Sequence, residues 1–196
     1  ACTGIDAIAH AVETSLTKKK NKLSWMFSKE AFELLLPHFS TALNQPDDLN
    51  ARGSMLLGAA MAGCAIEASM LGAAHSTANP LTAHYDIVHG QAVGVMLPHV
   101  VRFNAEDGKA REAYAELEAI GKLGQAETGD EPAEHLAKRL TQLLEMADMP
   151  VTLKASGVEE SMLPALAAEA ADQWTANFNP REAGQAEMET IYRAAF

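Results

Sequence analysis

The side chains with chemistry to offer fall into two stretches. The longer runs from Leu71 to His99, LGAAHSTANPLTAHYDIVHGQAVGVMLPH, and holds four of the seven histidines: His75, His84, His89 and His99. The shorter lies near the start of the chain, Thr3-Gly4-Ile5-Asp6-Ala7-Ile8-Ala9-His10. Asp6 and His10 are i,i+4, so on a helix both side chains leave one face. A carboxylate and an imidazole at that spacing can share one cation, and the same spacing also fits an isolated surface hydrogen bond. His75 and His89 are fourteen residues apart. No straight helix joins them, but two helices divided by a break at Asn79-Pro80, with a loop before His89-Gly90, can.

The two stretches are therefore expected to meet around one metal ion. Three imidazoles and a carboxylate form an N₃O donor set. It suits Fe²⁺ or Zn²⁺ better than Ca²⁺ or Mg²⁺, which prefer oxygen. The chemistry it points to is Lewis-acid polarisation of a substrate oxygen. His84 is a candidate pocket residue. His99, beside Pro98, is read as structural, His38 beside Pro37 as a packing or surface residue, and His135 as exposed on an amphipathic helix.

The elements that must hold these groups are helical. Hydrophobic residues make up 48% of the 196 and aromatics only 6%. Ala, Leu and Met dominate, and these are strong helix formers. The periodicity predicts helices over 4–16 with Thr3 as N-cap, and from a Ser24 cap to 44, kinked at Pro37. Residues 48–71 are apolar on nearly all sides and are expected to form the central buried helix, with Cys64 inside it. Further helices are expected over 90–104, 109–123, from Gly129-Asp130 to 146, 161–171 and 185–195, with a turn at 177–181. Nothing alternates with period two, so the fold class is all-α, a multi-helix bundle in a single domain spanning 1–196.

The net charge of −11 argues against nucleic acid, because neutralising phosphates needs clustered Lys and Arg. The one basic run, Lys18-Lys19-Lys20 with Lys22, reads as a solvated loop. Two cysteines without CxxC spacing make neither a disulfide framework nor a demand for an oxidising compartment. No run of about 18 apolar residues could span a bilayer, so no membrane association is expected and the cytoplasm is the default location. The chain has no initiator Met and begins just before a helix cap, which reads as part of a longer protein.

Taken together, these motifs resemble the iron-containing (group III) alcohol dehydrogenases, in their C-terminal, dehydroquinate synthase-like helical domain. Gly4-Ile5-Asp6-Ala7-Ile8-Ala9-His10 is similar to that family's GxDxxxH helix. Leu71 to His75, His89-Gly90 and Leu97-Pro98-His99 are similar to its histidine signature. Asn179-Pro180-Arg181 and Ile191 to Ala195 are similar to its C-terminal segment.

The resemblance implies the metal ligands Asp6, His10, His75 and His89. It implies NAD- or NADP-linked interconversion of an alcohol with an aldehyde or ketone, the metal polarising the substrate oxygen. It also implies a homo-oligomer, a dimer, for the full-length protein. Two features depart from the family. Asn79 stands where many members carry a second histidine four residues after the first, near the nicotinamide. It is thus a candidate cofactor-side residue but no acid or base. The family's N-terminal α/β domain, with its glycine-rich dinucleotide loop, has no counterpart in these residues. The main cofactor site is therefore expected outside the chain, and the chain alone is expected to be inactive. Two other readings compete: a metal-binding helical module without dehydrogenase activity, and a metal-dependent hydrolase using Glu13 or Glu67 as base.

Overall fold

A computed structural model describes residues 1–123 and 131–196. Among them it contains α1 (Cys2–Thr14), α2 (Lys22–Asn44), α3 (Leu49–Ala68), α4 (Ala73–Tyr85) and α5 (His89–Asn104). These are followed by α6 (Gly108–Gly121), α7 (Pro132–Met146), α8 (Leu163–Ala171) and α9 (Gln185–Ala195). Short 3₁₀ turns occupy Glu160–Met162 and Trp174–Phe178. No strand occurs among the described residues. The all-α expectation holds. The Gly129-Asp130 helix start lies outside the described residues.

The core is organised around α5. Val93, Met96, Leu97, Val100 and Val101 are buried, and α1, α4, α7 and α9 pack against this helix. The centre was expected at 48–71, and this is corrected. α3 lies at the periphery on α2 and α1, with Leu49, Leu56 and Leu57 exposed. Cys64 is exposed rather than buried. A helix apolar on every side carries no sequence signal for which side is covered, so neighbours alone decide. Close approach explains one of its glycines. A Cβ on Gly58 would meet Leu35 Cγ at 2.7 Å, whereas Gly53 and Gly63 face open space.

Pro37, Pro80 and Pro98 all lie inside continuous helices, so the expected break at Asn79-Pro80 is corrected and α2 is not divided at Pro37. The break between the helices begins at Asp86, six residues beyond Pro80, and the second helix opens at His89 as expected. Asp86 takes the left-handed conformation (φ 52°) as C-cap, and Ile87-Val88 lead into α5. Asp is one of the few residues that adopt this conformation readily.

Helix starts also shift. α1 begins at Cys2, before Thr3. α2 is capped by Asn21, whose side chain accepts from Leu23 N–H and Ser24 N–H, while Ser24 Oγ accepts from Asn21 N–H. That reciprocal box leaves Ser24 at the third helical position.

The first turn of α4 has no side-chain cap of its own, since its N-cap is Gly72. Distant residues supply it. Asn179 Oδ1 accepts from Ala73 N–H (3.2 Å), and Glu13 Oε1 accepts from Ala74 N–H (2.7 Å). Asn179 also exchanges two hydrogen bonds with Asn104 at the end of α5. Tyr192 Oη on α9 donates to the Thr77 carbonyl at 2.6 Å. The C-terminal segment thus clamps α4 and α5 into one register.

His135 was expected exposed, and this too is corrected. It is 8% exposed, and its Nδ1 lies 2.5 Å from Glu118 Oε1, tying α7 to α6. His38 stays on α2, with Nδ1 2.8 Å from the Leu34 carbonyl. His99 is half-buried on α5. Burial, then the Arg102 charge, pulls its pKa down to about 4 against the opposing Glu134.

Two outcomes follow for stability. Gly53→Ala is expected to stabilise the chain by about 0.5–1 kcal/mol, since it improves an exposed helix position without a clash. Gly90→Ala is expected to destabilise it by about 1–3 kcal/mol or more, because its Cβ would sit 2.2 Å from the Cys2 carbonyl oxygen. Urea unfolding of both variants checks the pair. His99 binds a proton near pH 6.5 when unfolded but only near 4 when folded, so stability is full above that window and falls as pH drops through it. His99→Gln removes this penalty, so its stability relative to wild type should rise with acidity between those values, read by unfolding at several pH values.

Candidate metal centre

Asp6 and His10 project from α1, His75 from the first turn of α4, and His89 opens α5. One carboxylate oxygen is the hub. Asp6 Oδ1 lies 3.5 Å from His10 Nε2, 3.3 Å from His75 Nε2 and 3.8 Å from His89 Nε2. The His10 and His75 rings stack with centroids 4.8 Å apart, and His75 and His89 are 5.4 Å apart, tilted by 49°. The four residues singled out in the sequence are therefore together in space. His75 is buried, Asp6 and His10 partly so, and the His89 side chain is 40% exposed on the open side.

Why the chain folds this way here is local. Ile5, Ile8 and Val12 turn one face of α1 into the core, and Asp6, His10 and Glu13 occupy another at i, i+4 and i+7. Gly90 lets the start of α5 press against the backbone of Cys2, which sets His89 beside the first turns of α1.

Two buried atoms of the cluster, Asp6 Oδ1 and His75 Nε2, have no hydrogen-bond partner. Buried polar atoms are nearly always satisfied, so such a pair asks for an ion or a water. Asp6, His10 and His75 have ligand atoms within 4.8 Å of one another, and His89 Nε2 stands beside them at 3.8 Å from Asp6 Oδ1; this nitrogen-rich set with one anionic oxygen fits a cation of the Fe²⁺ or Zn²⁺ type. Burial, then the charge of His75, brings the His10 pKa down to about 4, outweighing Asp6 and Glu13. Its ring is therefore neutral at physiological pH, as ligation requires. Burial alone would raise the Asp6 pKa, but His75, His10 and His89 hold it below the usual carboxylate range. For His75 the balance runs the other way. Burial lowers its pKa, yet Glu13 and Asp6 together raise it to about 9, so the metal-free ring carries both protons and one must leave on ligation.

Glu13 is the residue the sequence reading undervalued. It is 5% exposed, Oε2 lies 2.5 Å from His75 Nδ1, and Oε1 holds Ala74 N–H. Both oxygens are committed to α4, so it is not a free base of the kind a hydrolase would need. Glu67 is exposed on α3. The signal for Glu13 was its place on the Asp6–His10 stripe.

The remaining site candidates lie elsewhere or have other partners. His84 is nine residues beyond His75, about half a turn round α4 and some 13 Å along it. It faces α8, with Nε2 2.9 Å from Glu169 Oε1, and lies apart from the four donors. Asn79, one turn beyond His75, donates from Nδ2 to Gln173 Oε1 at 3.0 Å. Gln173 and Thr175, which meets Ser76, were not foreseen as neighbours of this turn.

Comparison with known proteins agrees with this architecture. The family model described as Fe-containing alcohol dehydrogenase family, C-terminal, matches residues 1–196. The chain is 32% identical to 1,3-propanediol dehydrogenase of Klebsiella pneumoniae over 199 aligned positions, covering 100% of this chain and 50% of that protein. It is 30% identical to lactaldehyde reductase of Escherichia coli (strain K12), again over 100% of this chain and 50% of the relative. A crystal structure of 1,3-propanediol oxidoreductase superposes with a TM-score of 0.93 at 32% identity, covering 100% of this chain and 51% of that one. The chain thus spans about half the length of the relatives it matches, which are alcohol and aldehyde oxidoreductases. With the motifs, the helical architecture and these matches in agreement, the chain belongs to the iron-containing alcohol dehydrogenase family and corresponds to its C-terminal helical domain.

Proposed function

We propose that this chain is the metal-holding domain of an NAD(P)-linked alcohol dehydrogenase, with Asp6, His10, His75 and His89 as ligands of one Fe²⁺ or Zn²⁺ ion. The observation that carries the reading is the pair of buried, unpartnered atoms, Asp6 Oδ1 and His75 Nε2, 3.3 Å apart among four donors. When bound, the ion supplies Lewis-acid polarisation of a substrate oxygen and so favours the negative charge that develops there.

The chain's own residues do the rest of the work on this side. Asp6 supplies the anionic charge that offsets the cation. His10 stays neutral and offers Nε2. His89, the most exposed of the four, marks the open side from which a small alcohol, aldehyde or ketone approaches. Asn79 is an amide and exchanges no proton, so it serves to position neighbours through Gln173, and acid–base work falls to another group. The nicotinamide partner is assigned to the other half of the full-length protein, which is proposed to act as a cytoplasmic homodimer. Relatives named for a diol and for a hydroxyaldehyde support a small, oxygenated substrate.

The chain is expected to take up one equivalent of Fe²⁺ or Zn²⁺, and His75→Ala combined with His89→Ala should abolish it. Elemental analysis after dialysis, with anomalous scattering at the iron and zinc edges, reads the outcome. Retained stoichiometric metal in the double variant would refute the ligand set. The same chain, metal-loaded, is expected to show no alcohol-dependent NAD(P)⁺ reduction by absorbance, and turnover would refute the division of labour between the two halves.

A further inference from the structure

We propose that Glu13 is a positioning residue that fixes which nitrogen of His75 faces the metal. The inference rests on the metal reading above and concerns a residue outside the proposed ligand set.

An imidazole binds a metal through a nitrogen lone pair, so its proton must sit on the other nitrogen. A hydrogen bond at that second nitrogen selects the tautomer and fixes the ring plane. In His75 the two nitrogens have different surroundings. Nδ1 lies 2.5 Å from Glu13 Oε2, and a carboxylate oxygen that accepts this hydrogen bond holds the proton on Nδ1. Nε2 faces Asp6 Oδ1 at 3.3 Å, buried and without a hydrogen-bond partner, so it is the nitrogen that can give up its proton to a metal.

The carboxylate is itself held. Its other oxygen takes the Ala74 N–H in the first turn of α4, where the exposed ends of the peptide dipoles favour an anion. Gly72 gives it room, since a Cβ there would lie 3.1 Å from Glu13 Oε1. Asn179 fills the neighbouring cap position by taking Ala73 N–H. A rigid α1 carboxylate therefore sets both the start of α4 and the orientation of the ring that α4 presents.

Glutamine keeps the shape of this side chain but not its chemistry. With its single oxygen on Ala74 N–H, its amide would point a donor at His75 Nδ1. The ring would then carry its proton on Nε2, where the lone pair is needed. The molecule offers an internal control. Glu118 and His135 form a second buried pair with the same 2.5 Å contact to Nδ1, between α6 and α7, and they belong to no ligand cluster among the described residues.

The test compares Zn²⁺ affinity of the 196-residue chain, by competition with a chromophoric chelator, in wild type, Glu13→Gln and Glu118→Gln. Metal-free thermal unfolding is followed in parallel. Glu13→Gln is expected to weaken Zn²⁺ binding roughly 10–100-fold, while Glu118→Gln leaves it unchanged. Ring-nitrogen NMR of the zinc-loaded chain should place the His75 proton on Nδ1 in wild type. Where Glu13→Gln does not fold without metal, Glu13→Asp, which keeps the charge but withdraws it by one methylene, carries the same comparison. Wild-type affinity in the folded Glu13 variant, or equal losses in both variants, overturns the proposal. A wild-type chain that binds no Zn²⁺ instead overturns the metal reading, and this one with it.

Discussion

One carboxylate holds the arrangement together. Glu13 reaches from α1 into the uncapped first turn of α4, where it satisfies a backbone N–H and a histidine Nδ1 at once. A helix start buried without partners would cost about 1–3 kcal/mol for each orphaned donor. The chain meets that cost with residues from opposite ends of the sequence, Glu13 and Asn179, rather than with a local Ser or Asp. The consequence is that α4 cannot begin correctly unless α1 and the C-terminal segment are in place. The ring of His75 is therefore oriented by the whole tertiary structure.

The same logic explains the contrast between the two kinds of polar cluster in this bundle. At Asn104 and Asn179 the two amides exchange their donors and acceptors, and the pair is closed. Around Asp6 the balance stays open, with Asp6 Oδ1 and His75 Nε2 buried 3.3 Å apart and neither in a hydrogen bond. Packing energy from α1, α4 and α5, whose apolar faces are almost fully buried, keeps these unsatisfied groups together. Unsatisfied groups that stability alone would select against are expected where a fold carries function. The metal ion proposed above would fill that gap.

Prolines and glycines show how strongly tertiary context acts here. Three mid-helix prolines are tolerated in α2, α4 and α5, against their intrinsic cost. Among the glycines, Gly58, Gly90 and Gly94 sit where another side chain or backbone comes too close for a Cβ, while Gly53 and Gly63 meet nothing. The letters are identical in the sequence, and only the neighbours separate them.

By itself the sequence determined the helical class and most element positions, because helical periodicity is a local property; i,i+4 spacing put Asp6 and His10 on one face, and the family resemblance singled out His75 and His89. It also carried Glu13 on the same stripe as Asp6 and His10, though without a partner to give that residue meaning. Only the tertiary structure decided that α5 and not α3 is central, that His135 is buried against Glu118, and that His84 turns away toward Glu169. Which side of a helix is covered, and which nitrogen of a ring is held, depend on contacts between residues far apart in the chain. Glu13 and His75 are sixty-two residues apart, and no local pattern encodes their meeting.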